Sequence, residues 1–192
     1  TQVKIADDGE ILVKGENMMN GYWNDPESTN KTIINGWVHT GDIGELDKDN
    51  YLKITDRKKD IIVNAGGDNI SPSRVEAKLE IQPEISQSML YGDFKNYLVA
   101  VIVPDTEQSK IWAKENNKDY DLSRLIKDEE FNSFIKEIVD KVNKNLSVIE
   151  QVRKFILIDH SFSIENEMMT PSMKVRRFKV KEKYKTNLEN LY

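Results

Sequence analysis

Tyr51-Leu52-Lys53-Ile54-Thr55-Asp56-Arg57-Lys58-Lys59-Asp60-Ile61-Ile62-Val63 is where this chain changes character. Before it, short apolar segments are broken by turn chemistry at Asp7-Asp8-Gly9, Gly15, Asn35-Gly36 and Asp47-Lys48-Asp49-Asn50, and this pattern reads as β hairpins. Within the stretch a period of two puts Leu52 and Ile54 on one face, which suits a strand with one side covered. After it the order is mixed. Ile61-Ile62-Val63 and Asn69-Ile70 flank Gly66-Gly67 as a hairpin, and Ser71-Pro72 supplies an N-cap followed by proline at the first helical position, with Val75 and Leu79 one turn apart.

Further on, Ile85 to Tyr91 and Leu98 to Val103 read as strands, the second apolar throughout and so central in a sheet, ended by Pro104. A helix is predicted around Glu107 to Glu115. A longer one, from about Glu129 to Leu146, carries Phe131, Phe134, Ile135, Ile138, Val139, Val142 and Leu146 as a wide stripe. Lys154 to Asp159 makes a third strand, and a charged helix follows Lys174. The boundary falls at Asp56 to Asp60, a short charged connector dividing residues 1–56 from residues 57–192.

With 192 residues and 38% hydrophobic content the chain can build a core, in one or two domains. Its 28 Lys+Arg against 33 Asp+Glu leave a net charge of −5, so no global field points to nucleic acid. The absence of cysteine removes disulfides and thiolate chemistry and is compatible with a reducing cytoplasm. Apolar runs such as Leu98 to Val103 are far short of the roughly 20 residues of a membrane-spanning helix. The chain opens at Thr1 directly into strand-like sequence, as an excised fragment would. No metal site is expected. Asp47 to Asn50 begins like a calcium loop, but Leu52 stands where the turn needs glycine, and His39 and His160 lack ligand spacing and read as structural.

Three motifs in order, Trp37-Val38-His39-Thr40-Gly41-Asp42-Ile43-Gly44, Asp56-Arg57-Lys58-Lys59-Asp60 and Thr170-Pro171-Ser172-Met173-Lys174, resemble the carboxyl-terminal motifs of the adenylate-forming acyl-CoA synthetases. Those enzymes activate a carboxylate with ATP and pass the acyl group to coenzyme A. The resemblance runs from about Gly9 to about Tyr184. Through Arg57 to Gly67 and the long insert between Pro104 and Val152 it is nearest to bacterial long-chain fatty-acid–CoA ligases. It implies an α+β fold: a β-hairpin remnant of a large-domain barrel in residues 1–56, then in 57–192 a small mixed α/β lid whose central sheet is flanked by helices. The family's upstream phosphate loop and acyl pocket are not found between Thr1 and Tyr192, so the fragment alone is expected to be inactive.

What the resemblance implies for single residues has chemical sense. A carboxylate is a natural bidentate acceptor for the vicinal hydroxyls of a ribose, and the family's Thr-Gly-Asp aspartate falls on Asp42, with Arg57 assisting. Taken alone, Gly41-Asp42 also suits an ordinary turn. Lys59 falls at the hinge about which the lid rotates between adenylating and thioester-forming states, although Lys58-Lys59 alone also reads as a solvated charge pair. Gly66 and Gly67 fall in the loop lining the coenzyme A channel, where a thin thiol arm passes close to backbone. Lys174 is the catalytic candidate: a mobile ammonium offsets charge that grows as a carboxylate attacks the α-phosphate of ATP. Many relatives have glycine where this chain has Met173.

Upstream, Gly21-Tyr22-Trp23-Asn24-Asp25-Pro26-Glu27 reads as a turn, and Tyr22, Trp23 and Trp37 as packing residues. The basic run Arg176, Arg177, Lys179, Lys181, Lys183 and Lys185 reads as a solvated helix face, the alternatives being contact with coenzyme A phosphates or a peripheral contact with the inner membrane face. The implied partners are fatty acid, ATP with Mg2+ held mainly outside this chain, and coenzyme A, in a cytoplasmic enzyme and without nucleic acid. Rival readings are the lid of an acyl-AMP ligase or of a carrier-protein-loading adenylation domain and, from another class, a non-catalytic interaction module.

Overall fold

The hairpins before Asp56 form one antiparallel sheet. In the computed structural model, which describes all 192 residues, the strands are β1 (Gln2–Ile5), β2 (Glu10–Lys14), β3 (Ile33–Ile34), β4 (Trp37–Leu46) and β5 (Leu52–Arg57). Their order is β1-β2-β4-β3, with β5 also paired to β4. Turn residues set the register. Asp47 accepts from the main-chain nitrogens of Asp49 and Tyr51 at 2.9 and 2.8 Å, closing β4 onto β5 with Leu46 opposite Leu52. These elements belong to a compact unit, Thr1–Ile61, that ends in a 3-10 turn, Lys58–Asp60.

Three local expectations need correction here. Pro26–Thr32 is a helix, α1, started by Asp25, whose carboxylate accepts from the Ser28 nitrogen at 2.9 Å. It buries no residue, so no apolar period announced it. Leu52 and Ile54 do share a face of β5, yet they are 39% and 61% exposed, so that face is uncovered. Trp23 is 91% exposed and packs on nothing, whereas Trp37 lies beneath the Lys4 ammonium, 4.3 Å from its ring centre.

The second unit, Ile62–Tyr192, is built on β9 (Leu98–Pro104). All seven of its residues are buried, the apolar run having both faces covered. It pairs antiparallel with β8 (Ile85–Tyr91) and parallel with β10 (Val152–Leu157), giving the order β10-β9-β8. Alternation along β9 divides the core in two. Leu98, Ala100 and Ile102 join Val75 and Leu79 of α2 (Pro72–Glu80) and Phe131, Ile135 and Val139 of α5 (Glu129–Asn143). Val99, Val101 and Val103 join Phe162, Met168 and the inner side of α6 (Arg177–Glu189), which is Val180, Tyr184 and Leu188.

The parallel β9–β10 pair needs a long crossover, made by α3 (Thr106–Glu115), α4 (Leu122–Leu125) and α5. Aspartates start all three helices; Asp128, for example, accepts from the nitrogens of Glu130 and Phe131 at 3.0 Å. The third strand spans Val152–Leu157 and not Lys154 to Asp159, because Val152 already pairs with Leu98. A small ladder of β6 (Ile62–Val63) and β7 (Asn69–Ile70) precedes α2. Helices against a central sheet in this unit, after a β-rich first unit, match the α+β class expected. No helix is long and apolar enough to cross a membrane.

Candidate functional site

Asp42 and Arg57 are direct partners in the β4–β5 ladder, and Arg57 Nε lies 2.9 Å from Asp42 Oδ1. The pair is partly exposed, Arg57 more than Asp42, so the guanidinium sits beside a carboxylate that solvent still reaches. Just before Asp42 the strand β4 bulges at Gly41, where its pairing with β2 shifts register and φ is +71°, a left-handed value that side chains resist. Thr40 steadies the bulge by donating to the Ile11 carbonyl at 2.8 Å and accepting from the Asp42 nitrogen at 3.1 Å.

Beneath this bulge sits Glu10, a buried carboxylate that was not among the candidate residues. Its Oε1 accepts from the Gly41 nitrogen at 2.9 Å, and its Oε2 lies 2.8 Å from His39 Nδ1 and 3.0 Å from Lys58 Nζ. Burial pushes the Glu10 carboxyl up, but the His39, Lys58 and Gly41 hydrogen bonds outweigh it and leave it below the ordinary glutamate value. Lys58 also meets Asp8 Oδ2 at 2.6 Å, and the two carboxylates raise its own pKa. A signal was present in the sequence: Glu10 shares a strand face with apolar Leu12, and an acid on an inward face requires partners. Lys59, in the same 3-10 turn, is exposed and forms no ion pair.

In the second unit Gly66 and Gly67 occupy the tip between β6 and β7. Asn64 and Asp68 close this tip through bonds of 2.9 Å from the Asp68 nitrogen to Asn64 Oδ1 and 3.0 Å from Asn64 Nδ2 to Asp68 Oδ2. Gly67 has φ +86° and open space around it, so the loop shows bare backbone to solvent. The turn after β8 holds it: Phe94 N donates to the Val63 carbonyl at 2.8 Å and Ala65 N to that of Lys95 at 3.0 Å.

Lys174 stands in a separate tight turn. Thr170 N donates to the Lys174 carbonyl at 2.8 Å, the Lys174 nitrogen returns a bond to Thr170 Oγ1 at 3.1 Å, and Met169 bridges Val175. Met173 has φ +59°, so a residue with a side chain occupies a left-handed slot. The Lys174 side chain is exposed and has no ion-pair partner. Three residues later, Arg177 binds both oxygens of buried Glu76, with Nη1 at 2.6 Å from Oε1, and Glu76 also accepts from the Leu90 nitrogen at 2.7 Å. Burial pushes the Glu76 carboxyl up against the pull of Arg177. This buried fork braces the chain just beyond the lysine.

Each unit thus gathers its own candidates. Asp42 and Arg57 touch in the first, which also carries Lys59; the glycine loop and the Lys174 turn lie in the second. No group of three or more acidic or histidine side chains converges to hold a metal ion.

The model of the AMP-binding enzyme C-terminal domain matches residues 59–192. The chain belongs to this family. Among curated relatives, a long-chain-fatty-acid–CoA ligase, FadD15, of Mycobacterium tuberculosis is 38% identical over 192 residues, 99% of this chain and 32% of the relative. Long-chain-fatty-acid–CoA ligase 1 of Cavia porcellus is 33% identical over 189 residues, 96% of this chain and 27% of that protein. The chain therefore spans about a third of the length of the relatives it matches. Among solved structures, the adenylation domain of a carboxylate reductase from Mycobacterium chelonae superposes with a TM-score of 0.83 at 28% identity, over 100% of this chain and 31% of that one. The A domain of a carboxylic acid reductase from Segniliparus rugosus, in complex with AMP and a co-purified carboxylic acid, gives 0.84 at 27%, with the same coverage.

Proposed function

We propose that this chain is the carboxyl-terminal part of an ATP-dependent long-chain fatty-acid–CoA ligase. In the first half-reaction a fatty-acid carboxylate oxygen bonds to the α-phosphorus of ATP as the bond to pyrophosphate breaks. In the second the coenzyme A sulfur bonds to the acyl carbon and AMP leaves. Asp42 accepts the ribose hydroxyls, with Arg57 beside it. Lys174 stabilises charge at the α-phosphate during the first step, Lys59 is the pivot between the two steps, and Gly66 and Gly67 border the thiol's path. Residues 1–56 are then the end of the large adenylation domain and 57–192 the mobile lid.

The observation that carries the reading is Lys174: an exposed ammonium without an ion-pair partner, on a turn braced from behind by Arg177 and Glu76. An interaction module has no need of that arrangement. Lys174→Ala in the full-length protein should lower ATP–pyrophosphate exchange by roughly 10²–10³-fold, the usual cost of one charge-stabilising donor, while thioester formation from supplied acyl-adenylate persists. Normal exchange would refute the assignment.

The solved relatives favour a second reading, since one of them is an A-PCP didomain of a carboxylic acid reductase. There the acceptor thiol belongs to a carrier domain, and offering coenzyme A and a carrier protein in parallel separates the two. A cytoplasmic location goes with either reading. Part of the basic run on α6 is internally neutralised, Lys179 by Glu167 at 3.0 Å and Lys181 by Asp93 at 3.7 Å, which favours a solvated face over a membrane contact.

A further inference from the structure

We propose that Glu10 is a positioning residue whose two oxygens serve the two half-reactions separately, Oε1 by fixing Gly41 and so Asp42, Oε2 by tethering Lys58 so that rotation is confined to Lys59. The inference rests on the ribose and hinge roles proposed above. Three observations carry it. Glu10 is 4% exposed, and a carboxylate so far from water persists only when its oxygens are fully engaged. Its acceptor bond to the Gly41 nitrogen falls on the residue of β4 with the freest backbone, the one next to Asp42. Without that bond the peptide ahead of Asp42 loses a fixed direction, and a carboxylate meant for two vicinal hydroxyls depends on direction.

On the other side, Lys58 is held between Glu10 at 3.0 Å and Asp8 at 2.6 Å, while neighbouring Lys59 has no ion pair. One lysine of the turn is tied to the β1–β2 hairpin and the next is free. A backbone rotation in this turn then starts from a fixed residue, which keeps the swing to a single pivot.

The test uses the full-length enzyme with Glu10→Ala, Glu10→Gln, Lys58→Met and the Glu10→Gln/Lys58→Met double, and follows ATP KM in pyrophosphate exchange and single-turnover transfer from supplied acyl-adenylate. Glu10→Ala should raise ATP KM by about tenfold, the worth of a hydrogen bond to a charged group, and also slow transfer. Lys58→Met should slow transfer and hold ATP KM within about twofold, because its tether is not part of the ribose grip. In Glu10→Gln the amide oxygen still accepts from Gly41 but the charge facing Lys58 is gone, so its defect should fall mainly on transfer. In transfer the double variant should fall short of the product of the two singles, since both remove the shared Glu10–Lys58 contact.

Equal losses in both half-reactions for all variants, or losses that multiply in the double, would overturn the proposal and leave Glu10 a purely structural residue. If Glu10→Ala does not fold, the Gln and Met variants decide. A readout independent of activity is hydrogen exchange at the Gly41 amide of the 192-residue chain. It should speed up by about tenfold or more in Glu10→Ala and stay unchanged in Lys58→Met; no change in the former refutes the positioning role. Asp42→Ala with unaltered ATP KM, or Lys59→Pro with intact transfer, would instead remove the ribose or hinge reading itself.

Discussion

Arg57 Nε lies 2.9 Å from Asp42 Oδ1 across the β4–β5 ladder, where the two residues are paired in register. The contact is half-exposed, so solvent screens it and its own contribution is about 1 kcal/mol or less. Arg57→Met should therefore raise ATP KM only about threefold to fivefold. Asp42→Ala removes the proposed acceptors of the ribose hydroxyls, hydrogen bonds worth about 1.5–3 kcal/mol each when charged, and should cost more than tenfold. Adenylation kinetics at varied ATP check the ranking; equal effects would mean that Arg57 touches the nucleotide directly.

Lys59→Pro fixes φ near −65° in the proposed pivot. The full-length enzyme should keep pyrophosphate exchange and lose transfer to coenzyme A. Rapid-quench measurement of each step separately is the check, and two unaffected steps would move the hinge elsewhere.

Buried Glu76 and partly buried Arg177 form a two-pronged pair, and removing the carboxylate breaks both of its charge-assisted bonds to the guanidinium. Glu76→Ala should destabilise the second unit by about 3–5 kcal/mol, whereas replacing both residues with apolar side chains of similar volume should cost much less. Urea unfolding of the chain followed by circular dichroism would show it. Equal costs for the single and double replacements would contradict the pairing.

Met173 holds a left-handed backbone, φ +59°, which for a side-chain-bearing residue costs roughly 1–2 kcal/mol. Met173→Gly should be neutral to slightly stabilising, and Met173→Ile should loosen the turn because β-branching tolerates this region least. Hydrogen exchange at the Thr170 amide, which closes the turn onto Lys174, reports the change.

Acid should loosen the segment of the first unit held by Asp8 and Glu10 once these carboxyls protonate. Asp8 and Glu10 both have lowered pKa values: Asp8 first through Lys58, Glu10 through His39, Lys58 and Gly41 against its burial. A carboxylate depressed in the folded state contributes stability that is present above its unfolded value and is lost as pH falls through the folded one. Protection of the Gly41 amide, corrected for intrinsic exchange, should thus decline as pH drops below the ordinary glutamate value of 4.5. Glu10→Gln should flatten that decline. Lys58, whose pKa is raised, works in the opposite direction, and its contribution fades only as pH climbs past 10.5.

Much of the fold was legible because burial leaves a periodic trace. The unbroken apolar run of β9 announced a strand covered on both sides, and Phe131, Ile135, Val139 and Val142 announced the face of α5. Elements that bury nothing left no such trace. The helix Pro26–Thr32 stands on its Asp25 cap and an exposed Glu27–Lys31 pair, both local and polar, and so passed for a turn. Trp23 and Ile54 show the converse: an apolar residue invites a packing role, but only the three-dimensional arrangement says whether anything lies against it.

The residues proposed for chemistry were legible for another reason. Asp42, Arg57, Gly66, Gly67 and Lys174 sit in short motifs whose spacing is local, whereas the left-handed backbone of Met173 became visible only in the structure. Tertiary structure alone decided the supports. Glu10 reaches Gly41 and Lys58 across 31 and 48 residues, and Arg177 reaches Glu76 across 101. Long-range contacts of this kind follow from strand register and helix packing, which bring distant side chains together without any local pattern to mark them. The sequence thus determined which groups are proposed to carry reactive chemistry, and the fold decided which buried carboxylates hold the segments that bear them.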